Sequence, residues 1–422
     1  MIGAAAIVGG TLTHLALGTV YCWGNFISYL PPGMKFWDGE NHPGMVSDAT
    51  IGIPLILSTQ CLTMPLGPLF VGKFGAARTM LVGSLLASFG VYLSSYMDRL
   101  GPFLALYALV FGLGMGIAYT APMAASWKWL PDQKGLASGV ILTGFGVGGF
   151  FFNILGSKLI NPNNANPDAS GFFPSEVYNN FGPALRKLGL IYACLSTIGY
   201  FLVTEPKTEL STKGGGASSQ AVGLEVGEAL KTPQFWTLWT MIIASASAGL
   251  NIASVYKQFA ATNSALLGDS YQAVVGAMAC VFNGFGRLFW GTMSDKFGFK
   301  KCFTFITIVQ AILHGVLFNR SAGSKVTFMA AICSVYFLLA GHFALMPPTM
   351  AKLYGPKRGA LLYGIVYSAF GITSIGGMFL SKYLKSNFGW NGSFQVLAAM
   401  SAMATLLTQT LKPIPSLPSS TI

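Results

Sequence analysis

SDKFGFKK at residues 294–301 repeats VGKFGAAR at residues 71–78, an interval of 223 residues. A longer pair, PDQKGLASGVILTGFGVGG (131–149) and GPKRGALLYGIVYSAFGITSIGG (355–377), recurs at an interval of 224–225 residues. Two separate motifs at nearly one interval indicate a duplicated half-chain rather than chance similarity. The two halves are therefore expected to fold alike, with a site forming where they face each other.

Long apolar runs fill both halves of the chain. Of its 422 residues 53% are hydrophobic and only 9% are charged, whereas soluble proteins carry about a quarter charged residues. A helix needs about 20 apolar residues to cross a bilayer. Six such runs occur in each half, near 3–30, 48–72, 77–97, 101–126, 135–157 and 185–203, and near 233–256, 270–291, 301–319, 324–350, 359–381 and 390–411. The pattern predicts an all-α membrane protein with twelve transmembrane helices in two pseudo-symmetric six-helix bundles.

A polar stretch separates the two halves. Residues 204–232 are charged and rich in Gly and Ser, which indicates a flexible linker. We therefore predict bundles at 1–203 and 233–412, a short tail at 413–422 and an extramembrane loop at 161–180. Lys and Arg are somewhat more frequent in the loops on the linker side, which favours cytoplasmic termini. We expect a multi-pass protein of the plasma membrane or of an organelle membrane.

The remaining composition argues against several classes of protein. The net charge is +12, but the basic residues lie in short loops and form no continuous patch, so no nucleic-acid partner is expected. The cysteines form no CxxC pair, and no metal site is predicted. GFGVGG (144–149) fits the GxGxxG pattern but follows no strand, so no dinucleotide cofactor is predicted. Titratable groups do not cluster at one depth, so we predict no enzyme and no cofactor, and we expect a monomer in lipid.

Arg287 is a cation inside an apolar run. It lies eight residues before Asp295, which places it roughly 12 Å into the membrane along a helix. All thirteen acidic residues fall in loops, in the linker or at helix ends, so no spanning segment offers a carboxylate partner. Arginine keeps its proton, and an unpaired buried charge is costly. A carboxylate substrate would supply the partner; an arginine that bonds to carbonyls and water and braces two helices is the alternative.

Several stretches resemble a known superfamily. GTMSDKFGFKK (291–301) resembles the loop signature of the major facilitator superfamily, with its glycine, aspartate and basic cluster in place. In the first-half copy, Gly72 stands where that family usually has the acid. GTVYCWGNF (18–26), GIAYTAPMAASWKWLPDQKGLASG (116–139) and NGFGRLFWGTMSDKFG (283–298) are similar to the oxalate/formate antiporter family, whose nearest relatives are the monocarboxylate transporters. The resemblance covers nearly the whole chain and implies the major facilitator fold.

The resemblance also implies roles for residues near Arg287, since the matching arginine of helix 8 binds substrate in both families. Where proton-coupled monocarboxylate transporters have an aspartate, this chain has Asn283, whose amide either bonds the substrate or positions Arg287. Oxalate antiporters pair the arginine with a lysine in helix 11, a position held here by Phe370. One fixed cation suits a single carboxylate better than a dianion. Phe145 is the repeat-equivalent of Phe370, and the two rings either face each other across the cavity or pack as ordinary helix contacts.

Other candidates for the cavity are aromatic residues and a histidine. Four aromatic residues match aromatic positions of the family, where they line a cavity or serve as packing and interfacial anchors: Tyr21, Trp23, Tyr119 and Tyr367. Three histidines lie in apolar runs: His14, His314 and His342. His342, in the predicted pore-side helix 10, is the best candidate for a pH-sensitive contact; a core histidine with its bonds satisfied is the alternative.

Two groups of residues are candidates for gating. Pro122, Pro347 and Pro348 interrupt helix hydrogen bonds near the linker-side ends of helices 4 and 10, where they either allow a gate to bend or make a static kink. Asp295 lies in a loop with three lysines, Lys296, Lys300 and Lys301. The matching loop in the superfamily is thought to latch helices together in one access state; solvated lysines that face the lipid are the alternative.

Together these features predict a secondary transporter that moves a small organic anion by alternating access. The preferred hypothesis is exchange of a monocarboxylate such as formate, pyruvate or lactate, with oxalate as a further candidate. The anion would neutralise Arg287, whereas an empty carrier with a bare buried cation would reorient poorly. The alternatives are proton-coupled monocarboxylate symport, with His342 or another group accepting the proton, and a membrane sensor that does not transport.

Overall fold

The computed structural model describes residues 2–40, 42, 47–165, 172–206, 225–260, 262–263, 266 and 269–411. Within these ranges the secondary structure is helical, and no strand occurs. The middle of the predicted 161–180 loop, most of the predicted linker and the tail at 413–422 lie outside the described residues.

Six helical spans come from the first half of the chain. They are α1 Gly3–Tyr29, α2 Asp48–Thr63 with Leu66–Phe74, α3 Ala76–Ser94, α4 Leu100–Trp129, α5 Lys134–Ile160 and α6 Ser175–Leu202. The two parts of α2 meet at an angle of 49°. Pro65 lies at this bend, where its missing N–H leaves a gap in the helix hydrogen bonds.

The second half contains α7 Pro233–Ala260, α8 Val274–Phe297, α9 Phe299–Ser321 and α10 Lys325–Tyr354, followed by the segment Arg358–Thr410. The helix of α8 begins earlier, at Asp269. Inside this last segment, Gly389 has a φ of 62° and a ψ of −169°, which interrupts the helix. We call the part before Gly389 α11 and the part after it α12. With α2 taken as one span and α11 separated from α12, the described residues agree with the twelve helices expected.

The repeated sequence motif is also a repeated conformation. Gly75 and Gly298 end the two KFG triplets, with φ/ψ of 83°/161° and 80°/165°, and the next helix begins directly after each of them. A positive φ is readily adopted by glycine and strained for other residues. The same turn therefore reverses the chain between α2 and α3 and between α8 and α9.

Glycines bring helices of the two halves into close contact. A Cβ added at Gly139 of α5 would lie 2.8 Å from the Arg287 carbonyl oxygen of α8, and one at Gly146 would lie within 2.7 Å of the Gly284 backbone. Further away, α2 and α11 meet in the same manner where Gly364 faces Pro65. Only small residues allow such backbone approach. These contacts place the middle of α8 in the interior; the division into bundles at 1–203 and 233–412 stays a prediction.

Candidate functional site

Arg287 lies in the middle of α8 and is completely buried, with an exposed fraction of 0%. Its Nε donates a hydrogen bond to Oδ1 of Asn283, one turn earlier, at 3.1 Å. Its Nη2 donates to the Tyr21 hydroxyl of α1 at 3.4 Å. The third nitrogen, Nη1, is buried without a hydrogen-bond partner among the described residues. The guanidinium therefore keeps donor capacity that the described protein groups leave unused.

Two phenyl rings enclose the guanidinium. Its Cζ lies 4.9 Å from the centroid of the Phe145 ring, on α5, and 4.7 Å from that of the Phe343 ring, on α10. Cations bind to aromatic faces at such distances, and the attraction is stronger away from water. Since α5 and α10 belong to different halves of the chain, both halves contribute to the site.

Tyrosine hydroxyls supply most of the remaining polarity. Tyr21, Tyr119 and Tyr367 all interact electrostatically with Arg287. The Tyr119 ring lies 5.7 Å from the rings of both Phe145 and Tyr367, and its buried hydroxyl faces Arg287 and Tyr367. The Tyr119 hydroxyl and Nη1 of Arg287 thus lie close together, and both can donate a hydrogen bond to one anion. A carboxylate can accept from both.

The site contains a cation but no carboxylate. Four ion pairs occur among the described residues, and none includes Arg287: His42–Asp38, Lys128–Glu205, Lys352–Asp295 and Arg358–Glu225. Among the lysines and arginines whose burial the structure describes, Arg287 is the only buried one. This arrangement can therefore bind one negative charge through hydrogen bonds and electrostatic attraction.

Phe145 and Phe370, which were expected either to face each other across the cavity or to pack as ordinary helix contacts, are separated by Phe343 and the guanidinium of Arg287. Phe370 stacks on Phe343, with ring centroids 4.7 Å apart and an interplanar angle of 22°, and it lies 4.7 Å from the Tyr367 ring. Phe343 thus lies between Phe370 and Arg287, while Phe145 contacts the guanidinium directly. Phe370 forms an apolar layer behind the site at the position where the resemblance implied a lysine in oxalate antiporters.

Two sequence candidates lie elsewhere in the structure. His342 bonds to the Ser245 hydroxyl at 2.8 Å through Nε2 and to the Leu338 carbonyl at 3.2 Å through Nδ1, so it is held between α7 and α10. Trp23 donates to the Ala49 carbonyl at 2.9 Å and stacks near Phe103 and Tyr107. Within the described contacts neither side chain meets Arg287. Fixed partners already use the polar atoms of both residues, so the geometry favours the alternative of satisfied core packing over a role at the site.

Two residues at the site were not assigned to it from the sequence. Phe343 covers one face of Arg287, and His14 lies 5.1 Å from the Tyr119 ring and 6.3 Å from the Phe145 ring. The repeat contains a signal for Phe343. When helix 4 and helix 10 are aligned on GIAYTAP (116–122) and GHFALMP (341–347), Ala344 matches Tyr119, and Phe343 is its direct neighbour. Nothing in the sequence distinguishes His14 from the other two buried histidines.

The predicted latch residue Asp295 joins the two halves. Its Oδ1 and Oδ2 accept hydrogen bonds from the backbone N–H groups of Gly135 and Leu136, at 3.1 and 2.8 Å, and so cap the N-terminus of α5. Its cationic partner is Lys352 of α10 at 3.4 Å, not one of the three lysines of its own loop. Lys300 instead donates to the Gln409 carbonyl at 2.9 Å. Lys296 and Lys301 have no ion pair among the described residues.

The three candidate gating prolines are buried. Pro122 lies in the first turn of the second part of α4, after an interruption at Thr120. A Cβ added at Gly10 of α1 would lie 2.8 Å from Cβ of Pro122, so the two helices touch there. Pro347 and Pro348 lie inside the continuous helix Lys325–Tyr354. The prolines thus lie in packed helices, where a gate would have to move their neighbours as well.

One cluster has the residue types of a metal site. Ligand atoms of Asp38, Glu40 and His42, in the loop between α1 and α2, lie within 4.8 Å of one another. His42 Nε2 and Asp38 Oδ2 form an ion pair at 2.7 Å, and this hydrogen bond raises the pKa of His42 and lowers the pKa of Asp38. The pair lies at the exposed surface and involves one of the two carboxylates of the cluster.

The chain matches the family model of the Major Facilitator Superfamily over residues 15–261 and 251–422. It belongs to the Major Facilitator Superfamily. The oxalate:formate antiporter of Oxalobacter formigenes is 30% identical over 364 residues, which cover 84% of this chain and 80% of that protein. Apicoplast pyruvate carrier 1 of Toxoplasma gondii is 26% identical over 490 residues, covering 98% and 90%. The superfamily and the oxalate/formate antiporter resemblance predicted from the sequence are thus confirmed.

A solved structure supports the fold. The Escherichia coli fucose:proton symporter matches with a TM-score of 0.68 over 96% of this chain and 98% of that chain, at 14% sequence identity. At this low sequence identity, the match supports the fold but not the substrate or the mechanism. The protein is therefore an all-α, multi-pass integral membrane protein with the major facilitator fold, and the relatives of this family are transporters.

Proposed function

We propose that this protein transports small monocarboxylates by alternating access, mainly in exchange mode. The observation that carries the proposal is the buried Arg287, enclosed by aromatic rings, with one guanidinium nitrogen free and no acidic partner among the described residues. A cation in such a site is stabilised by an anion that brings its own acceptor oxygens. Two relatives, a pyruvate carrier and an oxalate:formate antiporter, are named for carboxylate cargo.

The single cation favours one carboxylate over two. A dianion such as oxalate would place its second charge among Phe145, Phe343 and Phe370, where no further buried cation occurs in the described ranges. An ionised carboxylate without a partner is strongly penalised in such surroundings. Tyrosine hydroxyls can donate to the remaining oxygens, which suits formate, pyruvate or lactate.

The proposed movement is a rocking of bundle 1–203 against bundle 233–412 around Arg287, with the termini on the cytoplasmic side of the membrane. Asp295 supports the closed state on its own side because it binds the end of α5 across the two halves. An empty carrier would have to move a bare, desolvated cation, whereas a loaded carrier moves a paired one. Exchange of one carboxylate for another should therefore outpace net transport.

Counterflow in proteoliposomes tests the proposal. Vesicles loaded with unlabelled formate, acetate, lactate or pyruvate should take up labelled monocarboxylate through the wild type, and vesicles loaded with oxalate should take up less. Arg287→Ala should reduce counterflow by at least about tenfold, since charge-assisted hydrogen bonds are lost. Arg287→Lys should recover part of it, because the charge stays and the planar fork is lost.

Arg186→Ala is the matched control. Arg186 also contacts an aromatic ring, that of Tyr96 at 5.1 Å, but it lies on α6 and does not line the site. Its loss should leave counterflow near the wild-type rate. Equal losses in Arg186→Ala and Arg287→Ala, or no counterflow of any monocarboxylate by the wild type, would overturn the proposal; binding without transport would point to a sensor.

Proton-coupled symport is the second candidate. It is favoured by one observation: a buried histidine beside the site, His14, has a free ring nitrogen. The wild type would then acidify the vesicle lumen during net uptake of a carboxylate.

A further inference from the structure

The imidazole of His14 is buried with one nitrogen occupied and one free. Nδ1 lies 3.0 Å from the carbonyl oxygen of Gly10, one turn earlier in α1. Because a carbonyl only accepts, Nδ1 carries a hydrogen, and Nε2 of the neutral ring is an acceptor with a lone pair. This Nε2 is buried and makes no hydrogen bond of ordinary length and angle among the described residues, although the Tyr119 backbone lies close to the ring. A buried acceptor without a donor is uncommon in a native structure and calls for an explanation.

The groups around His14 belong to the Arg287 site. Its ring contacts those of Tyr119 and Phe145, and both of these side chains also interact with Arg287. Arg287 itself acts electrostatically on His14. His14 and the anion site are thus connected through shared neighbours from α4, α5 and α8.

Few other titratable or charged groups face His14. On α1 the nearest is Tyr21, α4 presents Tyr119, α5 presents the uncharged Phe145, and α8 presents Arg287. Helix α6 meets α1 at Gly199, and its Arg186 and Lys187 lie about 18 Å further along that helix. Lys128, at the end of α4, is already paired with Glu205. Helix α3 also packs on α1, and its one charged residue, Arg78, is exposed. No carboxylate faces His14 from these elements in the described residues.

Among the groups at the site, His14 is the one whose ordinary pKa lies closest to physiological pH. Tyrosine phenols ordinarily titrate near pH 10, arginine stays protonated, and Asn283 cannot titrate, whereas an unperturbed imidazole titrates near pH 6.5. The Nε2 lone pair is also the atom that a proton would occupy. No other ring nitrogen or carboxylate meets Arg287 or its two phenyl rings in the described structure.

We propose that Nε2 of His14 binds a proton that travels with the carboxylate, an inference that rests on the transport function proposed above. In the empty site, Arg287 opposes a second positive charge. A carboxylate on Arg287 offsets that repulsion, so proton and carboxylate bind cooperatively. The Nε2 lone pair forms one N–H bond, and one anion and one proton enter together. The net charge of the site is therefore the same when empty and when loaded, and transport is electroneutral.

The test compares wild type, His14→Asn and His314→Asn. His314 is the matched control: its Nδ1 bonds to the Gln310 carbonyl at 2.8 Å and its buried Nε2 also lacks a partner, but its ring stacks on Phe318, away from Arg287. An asparagine amide at either position can keep the Nδ1-type bond and lacks the second nitrogen. His14→Gln serves as a second variant if His14→Asn does not fold.

Pyruvate affinity is measured in detergent at pH 6, 7 and 8 by ligand-induced thermal shift, since pyruvate stays ionised throughout. For the wild type and His314→Asn, the Kd should rise by up to about tenfold per pH unit, the limit for one linked proton. For His14→Asn it should change less than about twofold. In proteoliposomes, net pyruvate uptake should acidify the lumen with the wild type and with His314→Asn, whereas the number of protons taken up per pyruvate should fall with His14→Asn.

Two results would overturn the proposal. One is a His14→Asn variant whose pyruvate Kd depends on pH, or whose uptake acidifies the lumen, as in the wild type. The other is a His314→Asn variant that loses both the pH dependence of Kd and the acidification. The failures of the two proposals are distinguishable. A wild type that neither binds nor exchanges any monocarboxylate refutes the transport function. A wild type that exchanges pyruvate with a pH-independent Kd refutes only the role of His14.

Discussion

At the residue scale, the site is a guanidinium whose surroundings are aromatic instead of acidic. Phe145 and Phe343 cover it, and Asn283 and Tyr21 take two of its hydrogen bonds. Aromatic faces attract a cation without neutralising it, so the site stays available to an anion. A carboxylate at the position of Asn283 would instead compete with the substrate.

Phe370→Lys should shift preference from monocarboxylates towards oxalate. Phe370 lies behind Phe343, one ring away from Arg287, so a lysine there brings a second cation close to the site. A partner for the second carboxylate removes its desolvation penalty. Competition of unlabelled oxalate with labelled formate in counterflow measures the shift, and Phe370→Leu controls for the loss of the ring. An unchanged oxalate-to-formate ratio would contradict the charge argument.

Phe343→Leu should weaken carboxylate transport while the protein stays folded. The change keeps an apolar side chain but removes one of the two rings that contact the guanidinium. A cation–π contact away from water is worth about 0.5–2 kcal/mol, so KM for counterflow should change by about 2- to 30-fold. Phe285→Leu is the control, since Phe285 is an exposed residue of α8 that packs on Phe337. Equal effects of the two changes would argue against a role for the Phe343 ring.

At the element scale, glycines decide how the helices turn and cross. Gly75 and Gly298 make the same positive-φ turn in the two repeats, and Gly139 and Gly146 let α5 lie directly against α8. These contacts set the rotation of α8 that points Arg287 inward. Helix geometry, more than local hydropathy, therefore places the cation.

Gly75→Ala and Gly298→Ala should lower thermal stability, whereas Gly72→Ala should not. The first two positions have φ/ψ of 83°/161° and 80°/165°, a backbone region that is almost restricted to glycine and in which a side chain costs about 1–3 kcal/mol. Gly72 lies in the same repeat, in a helix, with open space where a Cβ would be added. Alanine there even improves helix propensity. Fluorescence-detected unfolding in detergent measures the three variants; a melting temperature for Gly72→Ala as low as that of Gly75→Ala would contradict the strain argument.

At the scale of the whole molecule, one face of the protein is held closed across the two halves. Asp295 binds the first turn of α5 and Lys352 of α10, and nearby Gly135 and Gly291 bring α5 and α8 together. The contact is made by few groups at the membrane edge. A small energy change there can therefore change the populations of the access states.

Asp295→Asn should increase the population that is open on this side. The change weakens charge-assisted hydrogen bonds worth roughly 1.5–3 kcal/mol, which corresponds to about a tenfold or larger shift between states. Spin labels at the exposed positions Lys73 and Lys301, with the exposed Cys194 replaced, report the separation by pulsed dipolar spectroscopy. Asp132→Asn is the control because Asp132 is exposed and makes no ion pair with any residue that the structure describes. Equal distance distributions for the two variants would refute the latch.

The sequence by itself determined the class of protein. The apolar segments, the duplication and an arginine in an apolar segment without an acidic partner can all be read from the order of residues. The reason is that hydropathy and charge are properties of each segment alone. Only the tertiary structure decided which side chains meet that arginine. It placed Phe343 and His14 at the site, moved His342 and Trp23 into packing, and paired Asp295 with Lys352. These neighbours come from helices distant in sequence, and their meeting depends on helix rotations and crossings that the close glycine contacts of α5, α8 and α11 impose.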